Sequence, residues 1–129
     1  MKKTKPNKPT DAELAILRVL WQRGPSTVRE VWEELSPEQG TGYTTVLKIM
    51  QIMFDKGLLA RDEAARSHVY RAARSQEHTQ REVVGHLLER VFLGSAPKLV
   101  MQALAAKKAT RAELAEIRKL LDEMEGGAK

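Results

Sequence analysis

Between Thr10 and Ala72 the apolar residues keep a three-four spacing through three short stretches, then switch to alternation over two shorter ones. Three-four spacing lines one face of an α-helix, whereas alternation lines one face of a strand. Thr10-Asp11-Ala12-Glu13 has the form of a capping box, in which hydroxyl and carboxylate cover the free amides of a helix start. The helix it opens carries Leu14, Leu17, Leu20 and Trp21 on one face and stops at Arg23-Gly24-Pro25. Ser26 or Thr27 caps a second helix with Val28, Val31, Trp32 and Leu35 as its apolar stripe. Pro37 and Gly40-Thr41-Gly42 then break the chain. A third helix is expected from about Tyr43 to Lys56, with Val46, Ile49, Met50 and Met53 inward and Gly57 as its stop. Leu58–Arg61 and Ser67–Ala72 follow as a hairpin across the polar stretch Asp62–Arg66, with Val69 alternating with His68 and Tyr70.

Three short helices and a two-stranded hairpin, in that order, are the elements of a winged helix-turn-helix. The first helix supports the core and the second braces the third. The third has room to lie in a DNA major groove, and the hairpin is the wing. Trp21 and Trp32 fall in phase with apolar stripes and read as core rather than as base-stacking platforms. Only 5% of the residues are aromatic, which disfavours an oligonucleotide-stacking module.

From Gln76 the pattern is helical throughout. Val83, Val84, Leu87, Leu88, Val91 and Phe92 form a wide apolar face on a helix ending at Gly94. Ser95-Ala96-Pro97 opens another, with Leu99, Val100, Met101 and Leu104. Thr110-Arg111-Ala112-Glu113 is a second capping box, followed by Leu114, Ile117, Leu121 and Met124. Three short amphipathic helices bury little surface alone, and self-association is the economical way to cover them. Leu87, Leu88, Val91, Leu99, Leu114, Ile117 and Leu121 are the expected dimerisation residues. The competing arrangement folds these helices back on the N-terminal part.

The fold class expected is therefore mainly α: a winged helix-turn-helix followed by an all-helical dimerisation tail. Residues 1–9 form a basic flexible tail, 10–75 the DNA-binding domain and 76–129 the dimerisation region. Charge divides along the same line. Of the net +5, residues 1–75 carry +4 and residues 76–129 carry +1, so the polyanion-facing part is the N-terminal one. At 129 residues the chain is too short for two large independent cores. The absence of cysteine removes disulfides, thiolate metal sites and a thiol nucleophile together. No apolar run approaches the roughly 20 residues of a membrane span, and no apolar stretch follows the basic start as in a signal peptide. A cytoplasmic protein without membrane contact is expected. His78, Glu82 and His86 share one side of a helix, but the histidines stand two turns apart, which suits a polar face better than a zinc site. No phosphate-binding glycine loop or nucleophile elbow is present. Neither an enzyme nor a cofactor is expected.

The segment from Tyr43 to Arg71 strongly resembles the penicillinase-repressor family, the BlaI/MecI type of transcriptional repressor. Its marks are Tyr43-Thr44-Thr45-Val46, Lys56-Gly57-Leu58-Leu59 and His68-Val69-Tyr70-Arg71. Glu13-Leu14-Ala15-Ile16-Leu17, Leu20-Trp21 and Thr27-Val28-Arg29-Glu30-Val31 match its first two helices. The resemblance implies a homodimeric winged-helix repressor on a palindromic operator, acting on genes for beta-lactamase or related cell-wall stress responses. It also implies induction by a membrane sensor and a protease that cuts an Asn-Phe bond in the second tail helix. The aligned bond here is Gln102-Ala103, which departs from that pattern. The copper-responsive branch of the family ends in a cysteine-rich motif that this chain lacks.

On the helix-turn-helix template the recognition helices of a dimer lie roughly 34–36 Å apart, or a multiple of it. Thr44 and Thr45, in the first turn of the third helix, either meet the groove or serve as its N-cap. Lys48 and Gln51 lie on the outer face, lysine suited to phosphate or guanine and glutamine to adenine. Tyr43 offers a hydroxyl to phosphate, and Arg66 is the expected backbone contact from the wing, ahead of Arg61 and Arg71. Two other readings keep the fold: a regulator with a small molecule lodged between tail and DNA-binding domain, and a protein–protein adaptor without specific DNA binding.

Overall fold

The computed structural model describes residues 9–64 and 66–127, with 36–39 and 127 described by their backbone alone. The elements are α1 (Asp11–Arg23), α2 (Val28–Gln39), α3 (Tyr43–Asp55), β1 (Leu59–Asp62), β2 (Val69–Ala72), α4 (Gln76–Arg90), α5 (Ala96–Ala106) and α6 (Arg111–Gly127). The fold is mainly helical, a winged helix-turn-helix from α1 to β2 followed by a helical tail. The described residues form two compact units, which part within α4 after His86. The basic segment 1–9 lies, apart from Pro9, outside the described residues.

The helix ends follow local chemistry. Thr10 and Glu13 complete the capping box of α1, each side chain accepting the other's amide at 3.1 and 3.0 Å. Gly24, at φ 94°, ends that helix with its amide on the Leu20 carbonyl. At α2 the cap is Thr27, not Ser26. Thr27 Oγ1 accepts the Glu30 amide at 3.2 Å and Glu30 Oε1 accepts the Thr27 amide at 2.9 Å, a second reciprocal box. Ser26 instead pairs with the wing: its amide donates to the Tyr70 carbonyl at 2.9 Å and its carbonyl accepts the Tyr70 amide at 2.8 Å.

Three local expectations change. Pro37 does not break α2, which runs on to Gln39. A proline this near the end forfeits one helical bond, and the turn falls at Gly40, whose φ is +63°. α4 ends at Arg90 rather than Gly94. Leu93 and Gly94 are both left-handed, at φ 51° and 85°. The Gly94 amide reaches back to the Leu88 carbonyl at 2.8 Å, so Val91 and Phe92 sit in the turn beyond the helix. In β2, Tyr70 is the buried residue and Val69 is half-buried. The bridge to Ser26 ties Tyr70 inward on one side, while β1 pairs with β2 in antiparallel register, Arg61 opposite Tyr70.

One core holds the first unit together. Ile16, Leu17 and Leu20 of α1, Val31 of α2, Leu59 of β1 and Tyr70 of β2 are buried with Val46, Met50 and Met53 of α3. Burying a large apolar side chain stabilises by about 1.5–3 kcal/mol. The inner face of α3 is thus fixed by three such anchors and its outer face is left to solvent. The second unit is built differently. No side chain of α5 is buried, and nine of the twelve exposed large apolar side chains among the described residues lie in this unit, between Leu87 and Met124.

Candidate nucleic-acid interface

The outer face of α3 begins with an uncapped turn. Gly42 is the N-cap residue and offers no side chain, so neither Thr44 nor Thr45 is the cap. Both are exposed, beside first-turn amides that lack helical acceptors. A helix start with free amides favours an anion. Lys48 and Gln51 are exposed further along the same face. Ile52, 45% exposed, stands among them. Ile52 was not among the expected contacts, although its four-residue spacing from Lys48 sets it outside the buried stripe. Apolar side chains in this position suit a thymine methyl.

A groove of about 330 Å³ lies alongside this face. Its walls come from three elements: Thr27, Val28 and Arg29 at the start of α2, Tyr43, Leu47 and Gln51 of α3, and Arg66, Ser67, His68 and Tyr70 of the wing. The groove therefore brings together Tyr43, Gln51 and Arg66, which the sequence suggested separately. Thr44, Thr45 and Lys48 lie outside its lining, on the open side of α3. Arg29, Ser67 and His68 were missed. The signal for Arg29 was its place two residues after a cap, His68 stood in the His68-Val69-Tyr70-Arg71 run that carries the family resemblance, and no local pattern marks Ser67. The lining holds two guanidinium groups and no carboxylate, although Arg29 also reaches Glu33 at 3.7 Å along the exposed side of α2.

Other basic residues are held elsewhere. The Arg61 guanidinium lies over the Phe54 ring at 3.9 Å, pairs with Glu63 at 2.6 Å and reaches the Tyr70 hydroxyl at 3.4 Å. It braces the root of the wing against the end of α3. Arg71 is exposed on β2. Arg23 holds Glu30 at 3.4 Å and Glu34 at 3.5 Å. The hydrogen bond from the Thr27 amide, with the Arg23 charge, keeps the Glu30 carboxyl below its ordinary value. Trp32 donates its indole N–H to the Thr41 carbonyl at 2.9 Å, just ahead of α3, and meets the Tyr43 ring edge-on at 5.9 Å.

In the second unit, Leu87, Val91 and Leu121 are exposed while Leu88, Leu99, Leu114 and Ile117 are half-buried. Gln102 and Ala103 are both exposed within α5. Among the described residues no group of three or more His, Asp or Glu side chains could hold a metal ion. His78 contacts Glu82 at 3.3 Å and Arg74 at 2.7 Å. No described helix is long and apolar enough to cross a membrane.

Comparison with known proteins agrees with this architecture. The chain is 35% identical over 79 residues to the "Transcriptional regulator BlaI" of two Mycobacterium tuberculosis strains, CDC 1551 / Oshkosh and H37Rv. That match covers 60% of this chain, and the chain spans about half (54%) of the length of those relatives. It is 27% identical over 115 residues to the "Penicillinase repressor" of Bacillus licheniformis, covering 88% of this chain and 89% of that protein. The family model described as "Penicillinase repressor" matches residues 9–123, from the residue before the first capping box to the last turns of α6. The chain belongs to the penicillinase-repressor family.

Proposed function

We propose that the protein is a DNA-binding transcriptional repressor that acts as a homodimer on a palindromic operator. The observation that carries this reading is the outer face of α3: uncapped amides, two exposed threonines, Lys48 and Gln51 beside a carboxylate-free groove. Residues 10–75 read the DNA. Tyr43, Thr44, Thr45, Lys48 and Gln51 contact the major groove or its rim, and Arg66 contacts the backbone from the wing. Residues 76–129 pair the readers. Leu87, Leu88, Val91, Leu99, Leu114, Ile117 and Leu121 belong to the paired face, which the lack of any buried side chain in α5 supports.

Selection of bound genomic fragments at physiological salt tests this. A repressor enriches one inverted repeat and prefers it over random duplex by at least about 10³-fold. Uniform, weak and strongly salt-dependent binding to every fragment refutes the repressor reading and leaves the adaptor.

A further inference from the structure

The turn that leads into α3 has little of its own to hold it. Gly40 and Gly42 flank Thr41, Gly40 is left-handed, and α3 has no side-chain cap. Backbone of this kind opens locally at small cost unless something outside it closes it. That outside element is Trp32. It springs from α2 between Val31, which is fully buried, and the exposed Glu33, and its ring packs against the core. From there it makes two contacts forward. The indole N–H bonds the Thr41 carbonyl at 2.9 Å, and the ring receives the Tyr43 ring at 5.9 Å with an interplanar angle of 87°. One side chain anchored in the core thus holds the residue before the N-cap and the first residue of the helix.

We propose that Trp32 is a positioning residue for DNA reading: it presets the α2–α3 turn and the first turn of α3, and so governs discrimination between operator and random duplex. The proposal rests on the DNA-binding reading above. Base readout depends on bidentate geometry, so it is lost when the first turn wanders. Non-specific binding rests on lysine and arginine charge against phosphate and tolerates that motion. A residue that merely fills the core would lower both together.

Trp32→Phe keeps a ring and removes the N–H. The expected result is a folded protein whose affinity for the selected operator falls about fivefold, the worth of one neutral hydrogen bond. Its affinity for random duplex and its salt slope stay at the wild-type values. Hydrogen exchange supplies an arm that needs no DNA. The Val46 amide, which bonds the Gly42 carbonyl at 3.2 Å, exchanges about fivefold faster in the variant by the same hydrogen-bond worth, while the amides of Met50 and Met53 keep their rates. An unchanged Val46 rate overturns the proposal, and so does an unchanged ratio of specific to non-specific affinity. If the wild-type chain itself shows no preferred fragment, the DNA reading fails, and the exchange result still decides whether Trp32 holds the turn.

Discussion

The Lys56 ammonium lies 2.7 Å from the carboxylate of Glu13, a residue only 4% exposed. Lys56 is the C-cap residue of α3, and Glu13 completes the capping box at the start of α1. The pair therefore links the far end of the proposed reading helix to the first turn of the supporting helix. Burial alone disfavours the charged Glu13, and the Lys56 contact together with the Thr10 amide and hydroxyl outweighs it. Lys56→Met leaves that carboxylate buried without its cation. We expect a loss of about 1–2 kcal/mol in a urea titration, below the range for fully buried pairs because Lys56 remains partly solvated. A loss under a few tenths shows that the link is not structural.

The same pair sets a pH dependence. Glu13 is held below its ordinary value of 4.5. Its contribution to stability is therefore fully present above about that pH and is lost as the pH falls through the lowered folded value. Glu13→Gln should flatten the fall in melting temperature below about pH 4.5 while lowering the plateau at neutral pH. Parallel curves for variant and wild type contradict this assignment.

In the proposed interface, Lys48 and Gln51 separate charge from readout. Lys48→Ala should weaken binding to all duplexes and reduce the salt slope by about one. Gln51→Ala should leave the slope alone and relax preference at one base pair, by about 1–3 kcal/mol. Fluorescence anisotropy across a salt series on operator and random duplex distinguishes the two. Identical behaviour of the variants counts against this division.

Leu121 is 53% exposed in the single chain. A charge there costs the isolated protomer little, so Leu121→Glu tests self-association cleanly. We expect the variant to sediment as a folded monomer and to bind the operator at least tenfold more weakly, since a single half-site lacks the second reader's contribution. An unaltered sedimentation coefficient, if the wild type is a dimer, removes Leu121 from the interface.

Truncation separates the two units more fully. The break in the structure follows His86, and Thr79 in the first half of α4 is buried. A chain ended after His86 should therefore keep a cooperative thermal transition and lose most operator affinity. A chain ended after Ser75 exposes what Thr79 covers and should melt lower than the longer fragment. Equal melting of both denies α4 any part in the first unit.

Much of the fold was legible because its signals are local. Thr10 with Glu13, and Thr110 with Glu113, make reciprocal caps as their spacing implies. Val46, Met50 and Met53 are buried as their three-four spacing requires. Thr27 with Glu30 carried the same capping signal, and it settles the choice between Ser26 and Thr27. On the candidate interface, exposure of Lys48 and Gln51 follows from phase alone.

What remained depended on partners distant in the chain. Ser26 pairs with Tyr70, and Arg61 is held over Phe54 by contacts that no spacing announces. Gly42 is the N-cap of α3 in place of either threonine, and the turn before it is bonded by Trp32, which packs against the core from α2. The sequence by itself determined the order of helices and strands in the switch from three-four spacing to alternation, because that period is a property of neighbouring residues. Only the tertiary structure decided which cations face a groove and which brace the wing, because burial and charge pairing depend on groups brought near by folding.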